Sequence, residues 1–163
     1  MMTRLKFVLL IGLAVFLSKP SGAQEDKNAQ TLQILANITG HDMYTSFVQL
    51  GTLADAYMYK AYTQNFALKL LSEYVDYMDI VISEMQKMID TKIVSGSDID
   101  MVKIQINAYQ QMKTEAKEFK SYVETGESKY IESYETARRI AWKNIAQMLG
   151  LPQDVDPIKD KKK

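Results

Sequence analysis

An apolar repeat that runs from Met43 to Ile89 constrains this chain more than any other feature. Its members recur in steps of four and three residues, and only Gln64 among them is polar. They are Met43, Phe47, Leu50, Ala54, Tyr57, Ala61, Gln64, Leu68, Leu71, Val75, Met78, Ile82, Met85 and Ile89. Such spacing is the heptad pattern of a helix packed along its length. We therefore predict one long central helix, roughly 70 Å long if unbroken, which can bend at Gly51 or at residues 63–65.

A second apolar row lies on another side of the same predicted helix. Its members, which also recur every three or four residues, are Tyr59, Tyr62, Phe66, Leu70, Tyr74, Tyr77 and Val81. A helix that is apolar over more than half of its circumference needs neighbours on two sides. Those neighbours are either helices of the same chain or helices of a second copy.

Proline and turn-forming residues divide the rest of the chain. All three prolines lie outside residues 21–151, so no proline interrupts a helix within that range. Clusters of turn-forming residues occur at 39–42, 95–98 and 125–128. No segment alternates in the manner of a strand. We therefore predict an all-α fold, an elongated antiparallel bundle of three to four helices around the long heptad-patterned one.

The ends of these helices can also be predicted. Residues 24–38 are expected to form a short separate helix, with Asp42 capping the long helix after the turn. Ser97 or Asp98 is expected to cap the third helix. Gly126 is a suitable residue to stop that helix. The alternative is a helix that runs through Gly126 and pairs with the long helix as one hairpin.

Residues 1–23 have the pattern of a secretory signal peptide. A short basic start precedes an apolar run at 7–17, and Ser21 and Ala23 occupy the small-residue positions of a cleavage site. The run reaches only about half the length that a membrane-spanning helix needs. We predict an exported chain in the periplasm or the extracellular space, without a transmembrane segment after cleavage. The bundle domain would occupy residues 24–151, followed by a flexible lysine-rich tail at 152–163.

Charge and cysteine content exclude several classes of partner and chemistry. The leader holds three of the 20 basic residues and none of the 20 acidic ones, so the mature domain is mildly acidic. Without a basic stripe, a nucleic-acid partner is not expected. The chain has no cysteine, so its stability must come from packing rather than from disulfides.

No motif of the sequence predicts catalysis, a cofactor or a metal. His41 is the only histidine and is expected in a turn, which leaves no triad and no two-histidine metal motif. Glu73, Asp76 and Asp79 fall on the polar side of the long helix, where we expect them to be solvated. There is no glycine-rich phosphate loop and no Gly-x-Ser-x-Gly motif. We therefore predict a protein that is not an enzyme.

The aromatic residues of the second row are the remaining candidates for function. Tyrosine and methionine are favoured in protein contact surfaces. The predicted interaction surface consists of Tyr59, Tyr62, Phe66, Tyr74 and Tyr77. It would bind another protein or a second copy, as a homodimer, in an interaction or structural module of the cell envelope. In the alternative, a periplasmic carrier or sensor-like bundle, the same rings hold a small apolar ligand between helices.

One local resemblance supports the four-helix arrangement. The segment YVETGESKYIESYETAR (122–138) resembles one that is common in extracytoplasmic four-helix sensor domains of chemoreceptors and histidine kinases. In both, a Thr-Gly-acid stop precedes an amphipathic helix that contains tyrosine. The resemblance covers about a tenth of the chain and implies four helices, without assigning the chain to a family.

Overall fold

The computed structural model of the protein describes residues 23–154, with side chains from residue 30 onward. Within this range the chain forms four helices and no strand. They are α1 (Ala23–Met58), α2 (Gln64–Asp90), α3 (Ser97–Thr125) and α4 (Ser128–Leu149). The predicted all-α bundle is confirmed. The predicted leader up to residue 22 and the tail beyond residue 154 lie outside the described residues.

Each helix runs antiparallel to the next in sequence. Only six residues separate α2 from α3 and only two separate α3 from α4, and short connections of this kind produce antiparallel neighbours. Helix α1 completes the bundle by contacting both α4 and α2. Phe47 stacks near Trp142 of α4, with ring centroids 5.4 Å apart, and Asp42 accepts a hydrogen bond from Tyr77 of α2.

The heptad repeat lies on two helices rather than one, because the chain leaves the helix between Met58 and Gln64. Lys60 adopts a positive φ of 61° there. The amide of Ala61 donates to the Ala56 carbonyl at 2.8 Å, which is the bond of a Schellman motif and satisfies a terminal carbonyl of α1. Helix α2 then begins at a Thr63 cap. The interruption falls just before the polar stretch at 63–65, one of the two expected bend points.

The predicted turn at 39–42 does not form, and this prediction was wrong. Helix α1 continues through it, so the expected short helix at 24–38 is the first part of α1. Gly40 is buried, and a Cβ atom placed on it would lie 3.0 Å from Cδ2 of Leu149. This glycine therefore allows α1 to approach the end of α4 closely. Asp42 consequently lies inside α1 and does not cap a helix.

The end of α3 follows the sequence prediction, whereas its start does not. Gly126 is in the left-handed conformation with φ of 74°, and its amide donates to the Tyr122 carbonyl at 2.7 Å. The predicted break at Gly126 is thus confirmed. At the other end, Gly96 occupies the cap position and no side chain caps the helix. The expected Ser97 or Asp98 cap is wrong, since both residues already belong to α3.

The heptad residues form most of the core contributed by α1 and α2. The fully buried members are Met43, Phe47, Leu50, Leu71 and Met78. Two clusters of buried residues divide the core along the bundle, and Tyr74 packs against both of them. The apolar row predicted from the sequence is therefore the packing surface of α1 and α2, although the chain is interrupted between them.

Candidate functional site

Three of the five predicted surface residues lie together where α1 joins α2. With Met58 they form what we term the corner patch: Met58, Tyr59, Tyr62 and Phe66. Their side chains are 51%, 70%, 36% and 45% exposed, respectively. The rings of Tyr62 and Phe66 meet edge to face, with centroids 4.9 Å apart. The patch is therefore a local aromatic surface that faces solvent.

The other two predicted residues do not belong to the corner patch. Tyr77 is also exposed, but it lies about three turns further along α2, and its hydroxyl donates to Oδ1 of Asp42 at 2.7 Å. Tyr74 points inward, and its hydroxyl lies 3.8 Å from the sulfur of Met112. The five predicted surface residues thus divide into three rings in the corner patch, the exposed ring of Tyr77 and the inward-pointing ring of Tyr74.

Asp42 joins three helices through two tyrosine hydroxyls. Tyr109 of α3 donates to Oδ2 at 2.6 Å, opposite the bond from Tyr77 of α2. Burial, followed by the hydrogen bond to Asp42, raises the pKa of Tyr77 to about 12. The same two causes raise the pKa of Tyr109 further above its ordinary value. Burial also raises the pKa of Tyr74 well above that value, with a further contribution from the charge of Glu115.

A buried ion pair connects α3 and α4 under α1. Nη1 of Arg138 lies 2.7 Å from Oε1 of Glu115, and the two side chains are 3% and 0% exposed. The guanidinium also stacks on the ring of Phe47, 3.9 Å from its centroid. Sequence reasoning missed this pair. A signal was present, since Glu115 lies between the apolar positions Met112 and Phe119 at helical spacing.

A cavity of about 380 Å³ lies mainly between α1 and α4. Helix α1 contributes small residues and an acid, α3 contributes one ring, and α4 contributes aromatic and charged residues. The lining residues are Gly51, Ala54, Asp55, Met58, Tyr59, Phe119, Ile131, Tyr134, Glu135 and Arg138. Met58 and Tyr59 therefore belong both to the corner patch and to the wall of this cavity.

The acidic residues considered from the sequence are engaged elsewhere or dispersed. Asp79 pairs with Lys113 of α3, and Glu73 lies 3.8 Å from Lys69. His41 is exposed on α1. Across residues 23–154 no three histidine or acidic residues are grouped so as to hold a metal ion. In the same part of the chain no helix has an apolar stretch suited to crossing a membrane.

No protein-family model, curated protein or solved structure matches this chain.

Replacing Arg138 with Met should reduce the free energy of unfolding by about 3–5 kcal/mol, because Glu115 would keep a buried charge without its guanidinium. The double variant Glu115→Leu/Arg138→Met should recover most of that loss. The neighbouring Arg139→Met is the matched control, since Arg139 is exposed and should change stability by less than about 0.5 kcal/mol. Urea unfolding measures the free energy of unfolding of all three variants. Equal losses for Arg138→Met and Arg139→Met would contradict the assignment of Arg138 to a buried ion pair with Glu115.

The raised tyrosine pKa values predict a loss of stability in alkaline solution. Below pH about 10 tyrosine keeps its proton in both states. Above it the unfolded chain ionises first, so the free energy of unfolding falls by about 1.4 kcal/mol per pH unit for each buried tyrosine. Tyr77 is 38% exposed, so solvent screening makes its contribution to this fall smaller, and its contribution ends near its folded pKa of about 12. Urea unfolding across this range should show a shallower slope for Tyr109→Phe than for the exposed-site control Tyr59→Phe. A flat profile would refute the prediction.

Proposed function

We propose that this chain is an exported, non-catalytic helical bundle that binds another protein chain through the corner patch. A second copy of the chain is the first partner to test. The observation that carries the proposal is that Met58, Tyr59, Tyr62 and Phe66 are all exposed around the connection between α1 and α2, where the rings of Tyr62 and Phe66 are in contact. Contiguous exposed apolar surface on a folded domain marks interaction sites.

The chemistry of the corner patch supports a protein partner. Tyrosine, phenylalanine and methionine are enriched in the buried centres of protein interfaces, and each ring loses little conformational entropy on binding. The patch also rests on a fixed base. The Schellman bonds around Lys60 and the Thr63 cap hold the connection between α1 and α2, so the rings are presented from ordered backbone.

Tyr77 extends this surface along α2 in the proposal, whereas Tyr74 does not contribute to it. Tyr77 keeps its exposed ring face while its hydroxyl is held by Asp42. Because Tyr74 packs against both core clusters, its replacement would test stability rather than binding.

Export is proposed from the N-terminal pattern alone. The basic start, the apolar run at 7–17 and the small residues Ser21 and Ala23 support cleavage before Gln24. Delivery to the periplasm or the extracellular space would follow.

A second candidate function is a carrier of a small molecule. The cavity between α1 and α4 favours it, since a volume of about 380 Å³ lies within the range of ligand pockets. The carrier differs from the interaction module in its observable state. It would be a monomer that copurifies with a ligand, whereas the module would associate with a protein chain.

The pair Tyr62→Ser and Phe66→Ser tests the interaction module. These residues belong to the corner patch but not to the cavity wall. We expect the molar mass of the unaltered chain, measured by light scattering, to rise with concentration, and the double variant to remain monomeric. The loss of two aromatic anchors, each worth on the order of 2 kcal/mol, explains this difference.

The control for that experiment is the pair Ile93→Ser and Ile140→Ser, which removes two exposed apolar side chains outside the corner patch. It should associate like the unaltered chain. An unaltered chain that stays monomeric at every concentration would rule out self-association. Equal association of the two double variants would show that the corner patch is not the contact.

Export is tested separately by expressing the full chain in a bacterial host and weighing the product by mass spectrometry. The expected product lies outside the cytoplasm and begins at Gln24. A cytoplasmic product that retains residues 1–23 would contradict this part of the proposal.

A further inference from the structure

The solvent-facing side of α1 carries no acidic or basic side chain other than His41 over most of its length. None of the exposed residues from Gln30 to Met58 is aspartate, glutamate, lysine or arginine, although these four types make up 25% of the chain. The other helices do expose such residues, among them Glu73 of α2, Lys103 of α3 and Lys143 of α4. Depletion of charge distinguishes the centre of a protein interface from the rest of the surface. The outer side of α1 therefore has the composition of a surface that another chain covers.

Part of this side repeats at a helical interval, and we term it the outer seam. It consists of Thr31, Ile34, Ile38, Thr45, Thr52 and Tyr59, all of them exposed. Apart from Ile34, its members follow one another every seven residues. Seven residues are close to two helical turns, so side chains at this interval share one side of a helix. The heptad repeat that includes Met43 and Phe47 is buried in the bundle. Helix α1 thus carries a second row of the same kind that faces solvent.

The two ends of the outer seam differ in character. Ile34 and Ile38, in the first half of α1, are 53% and 60% exposed. Tyr59, just after the end of α1, is largely exposed and belongs to the corner patch. Ile38 and Tyr59 lie roughly 30 Å apart along the helix, and between them the seam contains only Thr45 and Thr52. The seam is therefore aliphatic at one end and aromatic at the other, with small side chains between them that allow another helix to approach closely.

The composition of the outer seam restricts what can cover it. A partner with acidic or basic side chains at the contact would have to bury them without an opposite charge, which is costly. From residue 30 onward, α1 is the only described helix whose exposed side lacks such residues, so α1 of a second copy meets this requirement. A two-fold axis across the helix then brings the aliphatic end of each seam to the aromatic end of the other.

We propose that two copies of this chain associate along their outer seams, with the two α1 helices antiparallel. The corner patch of each copy packs on Ile34 and Ile38 of the other, and Thr45 of each copy meets Thr52 of the other at the centre. This register also brings His41 close to Asp55 of the second copy, where the imidazole can donate a hydrogen bond to the carboxylate. The inference rests on the proposed interaction module and identifies the surface that its corner patch binds.

The pair Ile34→Ser and Ile38→Ser tests the aliphatic end of the seam. Light scattering should show that the unaltered chain approaches twice its monomer mass and stops there, because a two-fold contact closes on itself. The double variant should remain monomeric over the same concentrations, as expected for the corner-patch variant. The matched control is Ile80→Ser with Ile93→Ser, which removes two isoleucines that are each 62% exposed outside the seam. The control should associate like the unaltered chain.

The antiparallel arrangement is tested by disulfide formation between copies. The chain has no cysteine, so a single introduced cysteine can only pair with one in another copy. Chains with Ile38→Cys are mixed with chains with Tyr59→Cys, oxidised and weighed by mass spectrometry. The mixed disulfide should exceed either symmetric one by about tenfold, because two copies of residue 38 would lie roughly 30 Å apart, far beyond the reach of a disulfide.

The outcomes distinguish this inference from the function on which it rests. Association that the corner-patch variant loses and the Ile34→Ser/Ile38→Ser variant retains would overturn the inference and leave the corner patch as a contact for another surface. A predominant Tyr59→Cys symmetric disulfide would overturn it in favour of a contact between two corner patches. An unaltered chain that stays monomeric would overturn the inference and leave only a different protein as partner. Association that neither double variant reduces would overturn both the inference and the corner patch as the contact.

Discussion

Two sets of polar contacts join α1 to the other helices in addition to its apolar packing. Arg138 stacks on the ring of Phe47 in α1 while it pairs with Glu115 of α3. Asp42 of α1 accepts hydrogen bonds from the hydroxyls of Tyr77 in α2 and Tyr109 in α3. Helix α1 is joined to α2 by a connection of five residues. Apolar packing does not by itself select one arrangement, whereas buried polar partners are costly to separate. We infer that these contacts, the buried Arg138–Glu115 pair above all, help to select the position of α1 along the other helices.

The two candidate sites follow from how α1 ends. Near Gly51 and Ala54 its side chains are too small to fill the space against α4, which leaves the cavity. A few residues later the Schellman motif ends the helix and leaves Tyr59 and Tyr62 outside the core. The same segment thus contributes to both the cavity and the corner patch. Loss of the α1 position would be expected to disturb both, which is why substitutions of surface residues are more informative than substitutions of the ion pair.

Periodicity predicted the helical fold because burial repeats along a helix at a fixed spacing, and Met43, Phe47 and Met78 are buried as that spacing requires. It predicted no interruption after Met58, since the apolar repeat continues unbroken across residues 59–63, although the polar stretch at 63–65 was an expected bend point. A lysine with positive φ ends α1, and no turn residue marks the place. Conversely, Gly40 suggested a turn because it lies among turn-forming residues at 39–42. Its actual role, the close packing of α1 against Leu149, depends on a residue far away in the sequence and cannot be predicted locally.

The candidate site was predictable only in part for a similar reason. Exposed rings such as Tyr59 and Phe66 can be proposed from local sequence, but Glu115 and Arg138 acquire meaning only as partners on different helices. Tyr59 adds a further consequence, since it belongs to both the corner patch and the cavity wall. A protein partner that moved this ring would change the affinity of the cavity, and ligand binding would change partner affinity by the same factor. Replacement of Tyr59 alone therefore cannot distinguish the two functions, whereas Phe66 and Glu135 each belong to only one of the two sites.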